Sequence, residues 1–343
     1  MADDIWQVVD SSTVGGIETH IGVLARALIA QGVAVRVMRL ADHGPNPWLG
    51  QLDAAGVPHG VIGGGVMGLV KRLRRERPRL IHTHGYKAGI LGRLAARLVG
   101  IPCVSTFHAG ERGPFPVSLY QGLDALTSCL APRIAVSAAI AQGLPFGATV
   151  IGNFVPVPAT SPVVARPNVV GFVGRFSVEK GPDLFCALAE RLAGQGIAFE
   201  AFGDGALRPE LEARYGSVVR FHGLVTDPSG IWPRLGLLLM PSRAEGLPLA
   251  AIEAMAAGIP VAASAVGALP ELISNGRNGW LFPAGDLDAM AGAVAAWRAQ
   301  EDAARAAMGD AAWHTAREGF AVDVLVPQVR AVYAAAGARL PAP

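Results

Sequence analysis

The chain is 343 residues long, 51% hydrophobic and 16% charged, with a formal net charge of +2. That length exceeds an ordinary single domain, so two domains of roughly 150 residues are expected, and the apolar content excludes wholesale disorder. No apolar run approaches the ~18 residues needed to span a bilayer, and the balance lacks the strong basic excess of a nucleic-acid binder.

Three cysteines, Cys103, Cys129 and Cys186, are odd in number and show no CxxC spacing. They make neither a disulfide framework nor a zinc site and point to a reducing compartment. The opening Met1-Ala2-Asp3-Asp4 is acidic where a signal peptide would be basic, so a cytoplasmic location is expected. Charge is uneven: residues 1–157 carry 14 Lys/Arg against 9 Asp/Glu, and residues 158–343 carry 15 against 18.

In chain order, short apolar runs predict strands at 5–9, 33–39, 57–62, 80–83, 103–107 and 134–136. Ala- and Leu-rich segments between them predict helices at 18–30, 69–76, 88–98 and 118–130. After a proline-rich passage (Pro156, Pro158, Pro162, Pro167) the pattern restarts, with strands at 169–173, 198–202, 218–221, 237–240, 260–263 and 280–282. Such alternation implies α/β architecture: two doubly wound, Rossmann-like domains with parallel sheets covered by helices, facing across a cleft. The domains are expected at 1–157 and 158–320, with a crossover helix and tail at 321–343 folding back to the first domain. Ligands of such sheets bind beyond the carboxyl ends of the strands.

A literal G-x-G-x-x-G stands at Gly63, Gly65 and Gly68. A dinucleotide site would need an acid about 20 residues later and a place after the first strand. Residues 81–90 contain neither Asp nor Glu, and this is the third strand. A Gly-rich loop is the better reading.

Three other strand ends carry more. The first strand runs into Asp10 and then Gly15-Gly16-Ile17-Glu18, where glycines allow close approach and a helix start offers N–H groups to an anion; an ordinary tight turn is the alternative. Strand 169–173 runs into Gly174-Arg175, with Lys180-Gly181 five residues on, and that fork and point charge could grip a diphosphate unless both are merely solvated. The third is Glu245-Gly246-Leu247-Pro248 followed by Glu253 among Leu, Ala, Ile and Met. A carboxylate in apolar surroundings is costly unless hydrogen-bonded, and ribose hydroxyls would serve; a solvent-facing helical glutamate is the plain alternative.

On these elements the chain resembles the family 4 glycosyltransferases, from Gly15-Gly16-x-Glu18 to the final helix. The G-R-x(4)-K-G element at Arg175–Lys180 and the E-x7-E element at Glu245–Glu253 are the most specific marks. The resemblance implies the GT-B arrangement and a retaining, metal-independent transfer of a hexose-type sugar from a nucleotide-sugar donor, UDP- or GDP-linked, with no cofactor. It implies that Arg175, Lys180 and the amides of Gly246 and Leu247 hold the donor diphosphate, that Glu253 binds the ribose, and that Glu245 contacts the transferred sugar. Gly15 and Gly16 would face the donor phosphate and the acceptor, His108 in Ser105–Gly110 would lie near the sugar, and Gly223 and Leu224, beside His222 and Val225, would border the base.

His82 and His84 alternate onto one strand face, but no third metal ligand is evident nearby. With Tyr86 and Lys87 they are expected to line the acceptor side. Asp286-Leu-Asp288 resembles a metal-binding D-x-D, yet it precedes an Ala-rich helical run and reads as a helix cap. The stretch 71–79 holds six basic residues and one acid. It reads either as a cationic helix end or as a patch drawn to anionic lipid without apolar insertion, placing the enzyme peripherally on the inner membrane face. The expected acceptor is a glycan or a lipid-linked intermediate of cell-surface or exopolysaccharide synthesis. A nucleotide-sugar epimerase of the same shape and a non-catalytic nucleotide-sugar-binding module are the rival readings.

Overall fold

Runs of β-branched and aromatic residues become parallel strands, and the Ala- and Leu-rich segments between them return the chain as helices. The structure, a computed structural model, describes residues 4–12, 14–108, 115–162, 167–225 and 230–342. Thr13, Ala109 and Gly110, and positions 163–166 of the proline-rich passage, lie outside the described residues. The chain divides into two units, Met1–Phe154 with Val322–Pro343, and Val155–Ala321.

The first unit runs β1 (Ile5–Val9), α1 (Gly16–Ala30), β2 (Val35–Arg39), α2 (Pro47–Ala54), β3 (His59–Val61), α3 (Gly65–Glu76), β4 (Leu80–His84), α4 (Tyr86–Val99), β5 (Cys103–Phe107), α5 (Val117–Thr127), β6 (Arg133–Ala135), α6 (Ala138–Gly143) and β7 (Thr149–Val150). Its seven-stranded parallel sheet has the order β3-β2-β1-β4-β5-β6-β7. The order reverses between β1 and β4, so the carboxyl ends of these strands flank the switch point where such sheets bind ligands.

Several elements depart from the sequence reading, α2, α3 and α6 among them. Helix α2 forms because Asn46 caps it, accepting from Trp48 N–H at 3.0 Å, with Pro47 at the first helical position. Helix α3 starts at Gly65, four residues earlier than its apolar pattern suggests. The G-x-G-x-x-G glycines therefore make this turn rather than a loop: a Cβ on Gly68 would come within 2.0 Å of the Gly63 carbonyl oxygen.

The second unit runs β8 (Val169–Val173), α7 (Pro182–Arg191), β9 (Ala198–Phe202), α8 (Arg208–Tyr215), β10 (Arg220–Gly223), β11 (Leu237–Met240), α9 (Leu249–Ala256), β12 (Val261–Ser264), α10 (Leu269–Leu272), β13 (Gly279–Phe282), α11 (Leu287–Arg298) and α12 (Asp302–Gly319). Its six-stranded parallel sheet has the order β10-β9-β8-β11-β12-β13, with the switch point between β8 and β11. Phe172, Phe176, Phe185 and Phe199 build the core on one side of this sheet. Asp286 caps α11, accepting from Ala289 N–H at 2.9 Å, and Asp288 in the first turn pairs with Arg191.

The last helix, α13 (Val322–Ala335), belongs to the first unit. It packs on α1, Arg330 donates to Gln31 at 2.9 Å, and Tyr333 is wholly buried.

Candidate active site

His108 belongs to the first unit, whereas Arg175, Lys180, Glu245 and Glu253 belong to the second. Each half has its own switch point and its own geometry.

In the second unit the loops after β8 and β11 are locked together. Arg243 donates to the Val178 carbonyl at 2.8 Å and grips Asp183 with two prongs at 2.8 and 2.6 Å. Gly181 sits at φ 66, and a Cβ there would meet the Pro241 carbonyl oxygen at 2.2 Å. This close packing brings Lys180 Nζ to 2.6 Å from Glu245 Oε2, while Glu245 Oε1 accepts from Ser242 Oγ at 2.7 Å. Two residues read as partners of one substrate, 65 positions apart, thus share an ion pair at the switch point. Arg175 is exposed on the same loop as Lys180, with no ion pair among the described residues. It is placed to offer its fork to an anion.

Glu253 lies inside α9, whose buried faces are Leu249, Ala251, Ile252, Ala254 and Met255. Its carboxyl makes no hydrogen bond among the described residues, and although part of it reaches solvent, burial pushes its pKa up to about 7. A carboxyl held this way is expensive to ionise and is matched by hydroxyl donors from a ligand. Gly246 and Leu247 precede Pro248, the cap of α9.

At the end of β10, His222 stacks on Phe202 with ring centroids 4.3 Å apart and meets Glu200 at 3.0 Å. Glu200 also takes two bonds from Arg234, at 2.9 and 3.0 Å. Burial alone would raise its pKa, but the Arg234 guanidinium and the hydrogen bond to His222 bring it below the usual value. Gly223, at φ 73, turns the chain and Leu224 projects into solvent beyond it.

In the first unit α1 begins at Gly16 with Gly15 as its cap, and no side chain among the described residues caps the helix. The first-turn N–H groups are therefore available to an anion. Beside them, Asp10 at the end of β1 accepts from Lys87 Nζ at 2.8 Å and meets His43 at 2.7 Å. That contact raises the Lys87 pKa. Tyr86 stacks on Tyr120, with centroids 6.0 Å apart.

The histidines differ most from expectation. His82 and His84 are buried rather than lining a surface, because β4 is an interior strand of the sheet. His82 Nδ1 lies 2.7 Å from the Tyr333 hydroxyl and its Nε2 lies 2.7 Å from Thr106 Oγ1. Gln7 Nε2 donates to the same hydroxyl at 3.1 Å, and Gln7 Oε1 lies 2.8 Å from His84 Nε2. His84 Nδ1 then lies 3.0 Å from His108 Nε2.

One proton arrangement satisfies the chain. Gln7 Oε1 can only accept, so His84 carries its proton on Nε2 and accepts through Nδ1 from His108 Nε2–H. Burial lowers the pKa of His82, His84 and His108 well below the usual histidine value and that of His20 to about 4, so all four are neutral near pH 7. His108 Nδ1 is left as an acceptor.

Folding gathers a set of histidines other than the His82–His84 pair. His20, His84 and His108 each bring a nitrogen within 4.8 Å of the others. His20 Nδ1 is buried without a hydrogen-bond partner. Two of the three nitrogens available for a metal, however, are already joined by the His84–His108 bond. Sequence reasoning noted Asp10 only as the end of the first strand and missed His20, Gln7, Ser242 and Tyr333. Only His20 had a local signal, two places after Glu18 on the same helix start.

Both units match known protein families. Residues 14–155 match the model for Glycosyltransferase Family 4, and residues 167–299 match that for Glycosyl transferases group 1. A UDP-Gal:alpha-D-GlcNAc-diphosphoundecaprenol alpha-1,3-galactosyltransferase of Escherichia coli is 26% identical over 67% of this chain and 68% of its own. A 2-deoxystreptamine N-acetyl-D-glucosaminyltransferase of Streptomyces fradiae is 29% identical over 94% of this chain and 88% of its own. Among solved structures, Anabaena Alr3699/HepE in complex with UDP-glucose superposes with a TM-score of 0.84 at 21% identity, covering 97% of this chain and 99% of that one. Two parallel-sheet units of the GT-B fold, the first matched by the Glycosyltransferase Family 4 model and the second by that for Glycosyl transferases group 1, make this chain a member of the family 4 glycosyltransferases.

Proposed function

We propose that the chain is a retaining, metal-independent hexosyltransferase that takes its sugar from a UDP-linked donor and passes it to a glycan or lipid-linked acceptor of a cell-surface polysaccharide. The observation that carries this reading is the β8–β11 switch point, where Lys180 is locked against Glu245 and Glu253 holds a buried carboxyl with no protein partner. Lys180 and Arg175 suit a diphosphate, Glu253 suits the ribose diol, and Glu245 suits sugar hydroxyls. The choice of UDP draws on the Escherichia coli relative and on the UDP-glucose complex of the Anabaena protein. The lipid-linked acceptor draws on the diphosphoundecaprenol in the first relative's name.

In this reaction the bond between the anomeric carbon and the β-phosphate oxygen breaks as an acceptor hydroxyl bonds to the same face of that carbon. The acceptor proton passes to the departing phosphate oxygen. Charge grows on the leaving UDP, so the catalytic work is electrostatic. Arg175, Lys180 and the amides of Gly246 and Leu247 supply it. His108 Nδ1 accepts from a sugar hydroxyl. Metal independence is favoured because both acids of the D-x-D are engaged at the start of α11, one as a cap and one with Arg191.

The test is turnover of a panel of UDP- and GDP-sugars with and without a diphosphopolyprenyl-sugar acceptor, before and after EDTA. Acceptor-dependent transfer from a UDP-sugar that survives EDTA is expected. A free epimerised sugar nucleotide formed without acceptor, or activity lost to EDTA and restored by manganese, would overturn it.

A further inference from the structure

Helix α5 turns an uncharged, apolar face to solvent. Leu119, Leu123, Leu126 and Leu130 follow each other at helical spacing and are all exposed, Leu126 to 63%, with Tyr120 alongside and Phe115 at 81% leading in. The cause is visible on the inner face. Asp124, the helix's one carboxylate, points inward to Arg93, which is itself wholly buried and bonds Asp124 at 2.6 Å and Ser105 at 3.0 Å. The polar anchor of α5 is thus inside and its leucines are outside, the reverse of an ordinary surface helix. A row of this size on a protein surface marks an interaction site.

What covers it is indicated by its neighbours. α5 packs beside α4 and α4 beside α3, so the three helices form one layer on the sheet. α4 adds exposed Leu94 and Leu98 to the apolar row, together with exposed Arg97. α3 contributes Lys71 and Arg74, exposed and without ion pairs among the described residues. Glu76, the one acid of that stretch, is already met by Arg36, Arg72 and Arg75. Arg77 and Arg79 donate to the carbonyls of Val99 and Arg339. Among the described residues, then, this layer presents apolar side chains bordered by cations and no free carboxylate.

We infer that the α3–α4–α5 layer is a docking surface for an anionic lipid bilayer, with the α5 leucines entering the headgroup boundary and Lys71, Arg74 and Arg97 meeting lipid phosphates. No described helix is long and apolar enough to cross a membrane, so the contact is one that lies on the surface. It differs from attraction by the 71–79 stretch alone, since four of those six cations are engaged within the fold and the apolar contribution comes from α5. This inference concerns the surface only and stands apart from the donor and acceptor assignments above.

The full chain carries its own reporter. Cys129 is exposed at the end of the same face, whereas Cys103 and Cys186 are buried, so an environment-sensitive fluorophore on native protein labels Cys129. On vesicles of phosphatidylcholine with 30% phosphatidylglycerol, a blue shift and co-flotation are expected, both much weaker on phosphatidylcholine alone. High salt should weaken binding by about fivefold for each cation engaged. The double variant Leu123→Gln, Leu126→Gln removes only exposed side chains, so the fold is kept and vesicle affinity should drop more than about tenfold. Arg74→Glu with Arg97→Glu should abolish the preference for anionic vesicles. Binding that survives loss of both leucines would overturn the inference. So would a label that shifts with protein concentration instead of lipid, accompanied by a dimer in sedimentation velocity, because a second copy of the chain would then be the occupant.

Discussion

Replacing Glu253 by glutamine separates stability from function at one atom pair. The carboxyl titrates at about 7 in the fold rather than at its ordinary 4.5. Below 4.5 both folded and unfolded chains hold the proton, and there is no penalty. Between 4.5 and 7 the folded chain keeps a proton that the unfolded chain has lost, so stability falls as pH rises through that window. Moving from 4.5 to about 7 at roughly 1.4 kcal/mol for each pH unit comes to about 3 kcal/mol above pH 7. Glutamine keeps the shape and cannot ionise. At pH 8 Glu253→Gln should therefore raise the Tm of the second unit by roughly 6–12 °C, shrinking to about a third of that or less at pH 5. UDP affinity should fall by about 10- to 100-fold, since a charged acceptor of hydrogen bonds is lost. In wild type, UDP binding should strengthen as pH passes through 7. Thermal unfolding across pH 5–8.5, paired with calorimetry, measures both. A stability change that is the same at every pH, or undiminished UDP binding, would refute the reasoning.

Five other substitutions test the rest of the site. Arg175→Ala and Lys180→Ala should each lower kcat/KM by about 10- to 100-fold or more, whereas Glu245→Ala should cut turnover more than UDP binding; near wild-type turnover in both cation variants removes the diphosphate clamp. Tyr333→Phe strands Gln7 Nε2 and His82 Nδ1 in the interior, so unfolding should become easier by about 2–4 kcal/mol. If the chain orients His108, the variant should also change the pH profile of kcat, and an unchanged profile would leave Tyr333 purely structural. Gly181→Ala forces a Cβ onto the Pro241 carbonyl at a positive φ and should loosen the Lys180–Glu245 pair, read as a several-fold loss of kcat with a lowered Tm.

Local pattern carried most of the fold. Strands 169–173 and 237–240 are apolar along their length, as strands buried on both faces tend to be, and strands 103–107 and 198–202 keep the expected bounds although Ser105, Thr106 and Glu200 interrupt their apolar runs. Helices α2 and α6 escaped, being short and held by a single cap each, Asn46 and Ser137. In the site, Arg175, Lys180, Glu245 and Glu253 were legible because charged groups stand out in apolar or Gly-rich text. The Lys180–Glu245 pair itself was not, since it depends on two loops meeting across a sheet. The histidine chain was legible only as isolated letters: Gln7 meets Tyr333 across 326 positions, and no spacing rule reaches that far. The same limit applied to the 71–79 stretch, whose six positive charges looked free until the fold showed which of them Glu76 and the backbone had absorbed.

The two switch points handle buried polar groups in opposite ways, and that difference bears on where binding energy is felt. In the first unit Gln7, His82, His84, Thr106 and Tyr333 satisfy one another, so the network is complete within the protein and holds His108 in one tautomer. In the second unit Glu253 has no such partner and remains costly to ionise. A complete network gives rigidity, because breaking any member exposes two unpaired groups. An incomplete one gives ligand dependence, because only a bound donor can supply the missing bonds, and its binding free energy then adds to the stability of the unit that holds it. The first unit is thus built to position and the second to couple binding to order. A metal among His20, His84 and His108 would have to break the first of these arrangements to form, whereas on the proposed function a nucleotide ribose would complete the second.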